Sequence, residues 1–297
     1  MEPGSSHSVN ILRVSGGGVS HREDPVATEE PLEIQLGYTR RGGLPVTKSV
    51  AITMRTPGDD AALAAGFLFT EGILRHRDQV GDIAPVPAAD GRGTRSNTIR
   101  VTLREGVEVD LRALERHFYT SSSCGVCGKT SLEALRVAGG VQLDPDRPVL
   151  DAATVLRLPP LLREAQAVFD QTGGLHGAAL FSSEGALLGV KEDVGRHNAV
   201  DKLVGAAFLA GRTPLSNSIL LVSGRASFEL MQKAVMAGIP VLAAVGAPSS
   251  LAVEVARQFG ATLLGFLRDG RFNVYAGAQR LHEVHAALAA PQAAGNH

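Results

Sequence analysis

The chain has 297 residues, 44% of them hydrophobic and 20% charged, with a formal net charge of −1. That length holds one large domain or two modest ones, and the composition is that of a soluble globular protein. A balance so close to neutrality excludes a global attraction to nucleic acid or to an anionic membrane, so any anion site has to come from local clusters of Arg and Lys.

Residues 1–20 are rich in Gly and Ser without periodicity and are expected to form a disordered tail. Residues 31–36 alternate as a half-buried strand does, and residues 49–54 read as a second strand. Thr56-Pro57-Gly58-Asp59-Asp60 opens a helix with acidic residues at its positive end. That helix continues through Leu63, Phe67 and Leu68 to Gly72. Residues 82–95, rich in Pro, Gly and Ala, predict a loop, and residues 97–103 a strand. A small N-terminal α+β domain is thus expected over residues 21–112.

The remainder reads as a larger domain over residues 113–285, with a flexible tail at 286–297. Thr130 and Glu133 form a capping box, which places Cys124 and Cys127 just before a helix N-terminus. Residues 158–171 form an amphipathic helix stopped by Gly173-Gly174. Residues 177–181 and 186–190 make a hairpin, and residues 198–209 a helix. Strands at 218–222, 240–245 and 262–267 then alternate with helices at 228–237 and 250–259, before a turn at Asp269-Gly270. Continuous apolar strands with helices between them imply a largely parallel sheet covered on both faces, and hence the α/β class. Ligands of such sheets bind beyond the carboxyl ends of the strands, where Ser223-Gly224-Arg225, Gly246-Ala247-Pro248 and the turn from Arg268 to Arg271 fall.

The two cysteines, three positions apart, are too few for a disulfide framework. They sit in Ser121-Ser122-Ser123-Cys124-Gly125-Val126-Cys127-Gly128-Lys129. The glycines leave both sulfurs uncrowded, and Lys129 with the helix N-terminus favours the nucleophilic thiolate. Such a thiolate can hold sulfane sulfur as a persulfide, and the second thiol can assist its release. A pair of inert buried cysteines fits these polar flanks poorly, and a structural zinc site lacks two ligands. Dithiol redox chemistry remains a competitor, because the CxxC spacing is its signature. His176 would complete a His/Cys/Cys zinc set, but hydrolytic deaminases need a Glu two residues after the His, and Ala178 stands there. His176 is read either as a site residue or as a hydrogen-bonded support of its turn.

Three turns concentrate cations. In the stretch from Glu192 to Lys202, Arg196, His197 and Asn198 can donate to a phosphate or a base edge, with Asp193 and Asp201 to orient them. A salt-bridged helix start explains the same residues. Gly224 and Arg225 offer backbone N–H groups and a guanidinium at a second strand end. Arg268 and Arg271 add two cations at a third.

These stretches, with Glu29 to Ile34, Thr56 to Asp59, Ser122 to Lys129, Thr172 to His176, Gly238-Ile239-Pro240 and Gly265 to Tyr275, resemble the formate dehydrogenase accessory sulfurtransferase family, FdhD/NarQ. The resemblance covers nearly everything after the N-terminal tail. It implies a larger domain of three-layer cytidine deaminase-like fold without zinc chemistry, and no metal site. Cys124 would carry the persulfide, with Cys127 in support. A cysteine desulfurase would load the sulfur. The acceptor would be the molybdenum (or tungsten) bis-molybdopterin guanine dinucleotide cofactor, destined for formate dehydrogenase. Its binding maps onto Phe266, Leu267, Arg268, Asp269, Gly270 and Arg271, and a guanine nucleotide is expected to occupy the same site. Homodimeric assembly is implied, with no nucleic-acid or membrane partner. No leader segment and no apolar run of membrane-spanning length is found, so the expected location is the cytoplasm. A cofactor-holding chaperone without covalent sulfur carriage, or a dithiol oxidoreductase, would use the same residues otherwise.

Overall fold

The computed structural model describes residues 4–40, 43–87, 97–108, 135 and 141–284. The strands are β1 Ser6–Ser15, β2 Gly18–Ala27, β3 Glu30–Thr39, β4 Pro45–Arg55, β5 Val80–Pro85, β6 Thr98–Leu103, β7 His176–Ser182, β8 Leu187–Asp193, β9 Ser218–Val222, β10 Val241–Ala244, β11 Thr262–Arg268 and β12 Arg271–Ala276. The helices are α1 Asp60–Thr70, α2 Ala152–Leu156, α3 Leu158–Ala165, α4 Ala167–Thr172, α5 Arg196–Leu209, α6 Phe228–Met236 and α7 Ser250–Phe259.

The chain forms two units that interleave along the sequence. Met1–Gly139, Glu164–Ala178 and Val190–Arg212 make the first, and Gly140–Arg163, Ala179–Gly189 and Thr213–His297 the second. The contiguous division after residue 112 expected from sequence is therefore not the one the chain follows. Helix α5 shows why: its contacts run to α1, far away in sequence.

In the first unit, β1 and β2 pair antiparallel in unbroken register from Ser6↔Ala27 to Ser15↔Gly18. The disorder expected over residues 1–20 is thereby corrected for residues 6–20, which are paired strand and turn. Gly16-Gly17 is a two-residue hairpin connection, and Val9, Ile11, Val14 and Val19 supply strand propensity that the surrounding Gly and Ser obscured. The four-stranded sheet has the order β4-β3-β6-β5. Leu32, Ile34 and Leu36 of β3 are fully buried, as their alternation demands. Strand β5 occupies part of the predicted 82–95 loop. It pairs with β6 from Val80↔Leu103 to Pro85↔Ile99. Its Gly81, Asp82 and Pro85 disfavour strands, and only a short edge position beside β6 tolerates them.

Helices α1 and α5 cross at glycines. A Cβ on Gly66 would strike the carbonyl of Asp201, and one on Gly205 the carbonyl of Ala62. Phe69 and Phe208 stack alongside with ring centroids 4.7 Å apart. Near this crossing lies a polar core. Lys202 and Asp193 are 2% and 0% exposed, and their Nζ and Oδ2 atoms are 2.7 Å apart. Lys202 Nζ also donates to the carbonyl of Thr56, 2.8 Å away. Asp193 accepts from the backbone N–H groups of Thr56 and Gly195 and from the Asn198 amide. Asn198 in turn donates to the Met54 carbonyl and accepts from the Thr53 hydroxyl. Asp201 accepts from the Thr70 hydroxyl at 2.8 Å. Arg55, fully buried, grips Asp60 through two nitrogens at 2.9 and 3.0 Å and reaches Glu30 at 3.1 Å.

The six-stranded sheet has the order β12-β11-β10-β9-β7-β8. Strands β9, β10 and β11 are parallel in close register, and β12 runs antiparallel to β11 at one edge. Their interiors are apolar throughout, which matches the continuous runs read from sequence. The single helix predicted over 158–171 is two, α3 and α4, broken at Gln166. The backbone N–H groups at the start of α4 are taken by the Glu192 carboxylate, which accepts from Val168 at 3.0 Å and Phe169 at 2.8 Å. No capping residue was visible locally, because Glu192 is distant in sequence.

Two outcomes follow for the first unit. Gly205→Ala forces the helices apart and is expected to cost about 1–3 kcal/mol, read as a lowered denaturant midpoint. An unchanged midpoint would contradict the glycine-mediated crossing. Lys202→Met strands the Asp193 carboxylate without its counter-charge, and a loss of about 3–5 kcal/mol is expected. Combining it with Asp193→Asn should cost less than the two changes summed, because the orphaned charge is gone.

Candidate functional site

Within the second unit, the carboxyl ends of β9, β10 and β11 lie side by side. The Gly246 N–H donates to the Gly224 carbonyl at 2.9 Å, and the Phe266 N–H to the Gly246 carbonyl at 3.0 Å. The turns therefore continue the sheet beyond its strands. A Cβ on Gly246 would lie 3.0 Å from the Gly224 carbonyl and 3.2 Å from Cγ of Arg225. Gly265 is equally confined by Pro248 and Tyr275, each 2.9 Å from where its Cβ would stand. These glycines let three backbones converge without side chains between them. Arg225 leaves this crevice exposed to solvent, and α6 begins three residues later. The first-turn N–H groups of that helix add to the positive potential.

The turn after β11 has two distinct parts. Asp269 and Gly270 have φ of 54° and 71°, the positive pair of a type I′ hairpin turn joining Arg268↔Arg271. Phe266 has φ 53° where the ladder with β12 slips between Gly265 and Arg268. An aromatic residue rarely takes that conformation, and here the bulge imposes it. The Arg268 guanidinium stands over the Phe266 ring, 5.7 Å from its centroid. Its approach to Asp269 is loose, at 3.8 Å between exposed groups. Arg268 and Arg271 are exposed, whereas Leu267 is buried at 1% and packs into the sheet.

Arg196 and His197 belong to the first unit, and Gly224, Arg225 and Phe266 to Arg271 to the second. The stretch from Glu192 to Lys202 divides into two kinds of residue. Asp193, Asn198, Asp201 and Lys202 are interior and bound to one another or to residues of β4, α1 and the loop between them, and both amide hydrogens of Asn198 are taken by the Met54 carbonyl and the Asp193 carboxylate. Arg196 and His197 remain at the start of α5, with Arg196 Nε buried and without a partner among the described residues. Burial holds the His176 imidazole below its usual range, the Arg196 charge adds to this and Asp193 opposes it.

Cys124 and Cys127 lie outside the described residues, and so does the capping box after them. Among the described residues no group of three His, Cys, Asp or Glu side chains can hold a metal ion. None of their helices is long and apolar enough to cross a membrane. One wall beside the turn at 268–270 was not singled out from sequence. Leu156, Pro159, Pro160 and Arg163 face that turn across a cavity. The only local signal was a proline pair at the start of a helix.

A model of the FdhD/NarQ family matches residues 27–282. A sulfur carrier protein FdhD from Streptomyces avermitilis is 54% identical over 273 residues, covering 91% of this chain and 94% of the relative. One from Mycobacterium tuberculosis is 49% identical over 275 residues, covering 91% and 96%. A third, from Thermoplasma volcanium, is 43% identical over 272 residues, covering 91% and 94%. The crystal structure of a protein from Desulfotalea psychrophila, described as a candidate formate dehydrogenase accessory protein, aligns with a TM-score of 0.69 at 25% identity over 93% of this chain and 99% of that one. With a family match over most of its length and relatives this similar, the chain belongs to the FdhD/NarQ family.

Proposed function

We propose that this protein is a sulfurtransferase that carries sulfane sulfur on Cys124 and passes it to the bis-molybdopterin guanine dinucleotide cofactor of a formate dehydrogenase. The observation that carries the reading is the pairing of relatives named as sulfur carriers with a chain that has two cysteines in all. Persulfide carriage needs a thiol, so the carrier is Cys124 or Cys127. The Gly-flanked position and Lys129 favour the thiolate at this pair.

In the loading step, the Cys124 thiolate attacks the terminal sulfur of a persulfide on a cysteine desulfurase. The donor's S–S bond breaks, its thiolate leaves, and one sulfane sulfur now sits on Cys124. No net oxidation occurs. Cys127 supports the release step. The cargo carries several phosphates, and the exposed guanidiniums of Arg225, Arg268 and Arg271 at the strand ends suit it. The sheet order, with the β7–β8 hairpin at one edge and β9, β10 and β11 following in parallel, supports a cytidine deaminase-like layout. We further infer a homodimer acting in the cytoplasm.

After incubation with a cysteine desulfurase and cysteine, mass spectrometry is expected to find one added sulfur on the peptide containing Cys124. Cys124→Ser should remove it and leave co-expressed formate dehydrogenase at background activity, with Cys127→Ser less damaging. Full maturation by a chain lacking both cysteines would replace this reading with that of a cofactor-holding chaperone. Turnover of a disulfide substrate without need for molybdenum would replace it with a dithiol oxidoreductase. Titration with GDP should show Arg271→Ala binding about tenfold or more weakly, the loss of one charge-assisted contact. Equal affinity would remove Arg271 from the site.

A further inference from the structure

A cleft of about 220 Å³ lies at the amino ends of β9 and β10, at the end of the six-stranded sheet opposite the strand-end turns described above. All of its described lining residues belong to the second unit. Leu143, Gly238 and Pro240, each buried, form its floor. Gly238 has φ 71°, and a Cβ there would stand 2.7 Å from Cβ of Pro214, so no side chain can be added at this point. One wall carries Ser216 and Asn217. Its backbone is fixed on both sides: the Leu215 N–H donates to the Ala237 carbonyl at 2.9 Å, and the Asn217 carbonyl accepts from the Ser183 N–H at 3.2 Å.

The other wall is the turn from Asp144 to Arg147. Arg280, fully buried, holds its backbone. The guanidinium donates to the Asp144 carbonyl, to the Arg147 carbonyl at 2.8 Å and to the Thr262 hydroxyl at 3.0 Å. Gln279 donates to the Pro145 carbonyl at 3.1 Å, and the Asp146 N–H to Asp144 Oδ1 at 2.9 Å. A buried cation is costly, and most of the hydrogen bonds of this one go to a single loop. The side chains on that loop are treated otherwise. Asp144 and Arg147 are exposed and line the cleft, and they form no ion pair with each other. Ser216 and Asn217 are exposed as well. Among the described residues, the side chains of Arg147, Ser216 and Asn217 make no hydrogen bond.

We propose that this cleft binds a small α-amino acid as its zwitterion. The Arg147 guanidinium takes the carboxylate, the Asp144 carboxylate takes the ammonium, and Ser216 and Asn217 supply further hydrogen bonds. A ligand of single charge would leave one of the two opposite charges on the wall without a partner. A zwitterion matches both, and an α-amino acid holds its two charges on neighbouring groups, as a narrow cleft requires. The volume lies below the range of drug-sized sites, which limits the side chain to a few atoms. Because Arg280 already fixes the loop, a ligand has less backbone to order. The inference is independent of the sulfur-transfer reading, since the cleft shares no residue with the cysteine pair or with the basic strand-end turns.

The test is a ligand-observed NMR titration of the full chain with glycine, L-alanine and L-serine, with propionate, ethylamine and glycylglycine as controls. L-Alanine is expected to bind saturably. Propionate and ethylamine each keep one of its two charges and should bind about tenfold or more weakly, the worth of a hydrogen bond to a charged group. Glycylglycine, whose charges stand farther apart, should bind more weakly than glycine. Asp144→Asn keeps an acceptor for the Asp146 N–H and so the turn, and Arg147→Gln leaves the carbonyl that Arg280 holds. Each should weaken L-alanine about tenfold or more at an unchanged thermal midpoint. Absence of saturable binding by all three amino acids overturns the proposal. So does binding that both variants leave unchanged. Propionate binding as tightly as L-alanine also overturns it, because the cleft is then a plain anion site.

Discussion

The first unit depends on two opposite charges buried together. Asp193 and Lys202 are nearly inaccessible to water, and neither tolerates that position alone. Each charge is enclosed by groups that hold it in one place. The Thr56 and Gly195 N–H groups and the Asn198 amide surround the carboxylate, and the Thr56 carbonyl receives the ammonium. The strand end at Met54, the loop at Thr56 and the start of α5 are thereby fixed to one another. The glycine contact between α1 and α5 completes the arrangement by letting the helices approach closely enough for Thr70 to meet Asp201.

One consequence concerns how a motif is used. Eleven residues from Glu192 to Lys202 read as a single polar cluster, and polarity alone suggests a ligand site. Tertiary structure assigns most of that polarity to the interior. Even Glu192, which looks like an ordinary surface acid, serves as the cap of α4. Arg196 and His197, at the start of α5, are half-buried rather than interior. Buried polar networks demand complete partnering, so residues of such a network look as specific as catalytic ones when read as letters.

In the second unit the logic is the reverse. Here the strand interiors are apolar, the buried Arg280 guanidinium is held by the Asp144 and Arg147 carbonyls and the Thr262 hydroxyl, and exposed arginines stand on turns at the carboxyl ends of parallel strands. Glycine at positions 246 and 265 keeps these turns in contact, and the arginines on them are exposed. The β11–β12 turn combines a stiff I′ connection with a bulge, so that Arg268, Asp269 and Arg271 stand on backbone with little freedom. A prearranged cluster of this kind costs a ligand less to order.

Sequence by itself determined the alternation of strands and helices after residue 218, the burial pattern of β3 and the three strand-end turns. Each of these is carried by neighbouring residues: a period of two, an unbroken apolar run, a glycine beside a basic group. What only tertiary structure decided involves partners distant in the chain. The pairing of β5 with β6 made a strand of residues with poor propensity, and Glu192 split a helix at Gln166. The α1–α5 crossing drew residues 190–212 into the N-terminal unit, and the Asp193–Lys202 pair withdrew half of a basic turn from solvent. The wall from Leu156 to Arg163 belongs here too, because a cavity is a property of two surfaces and a sequence presents them one at a time.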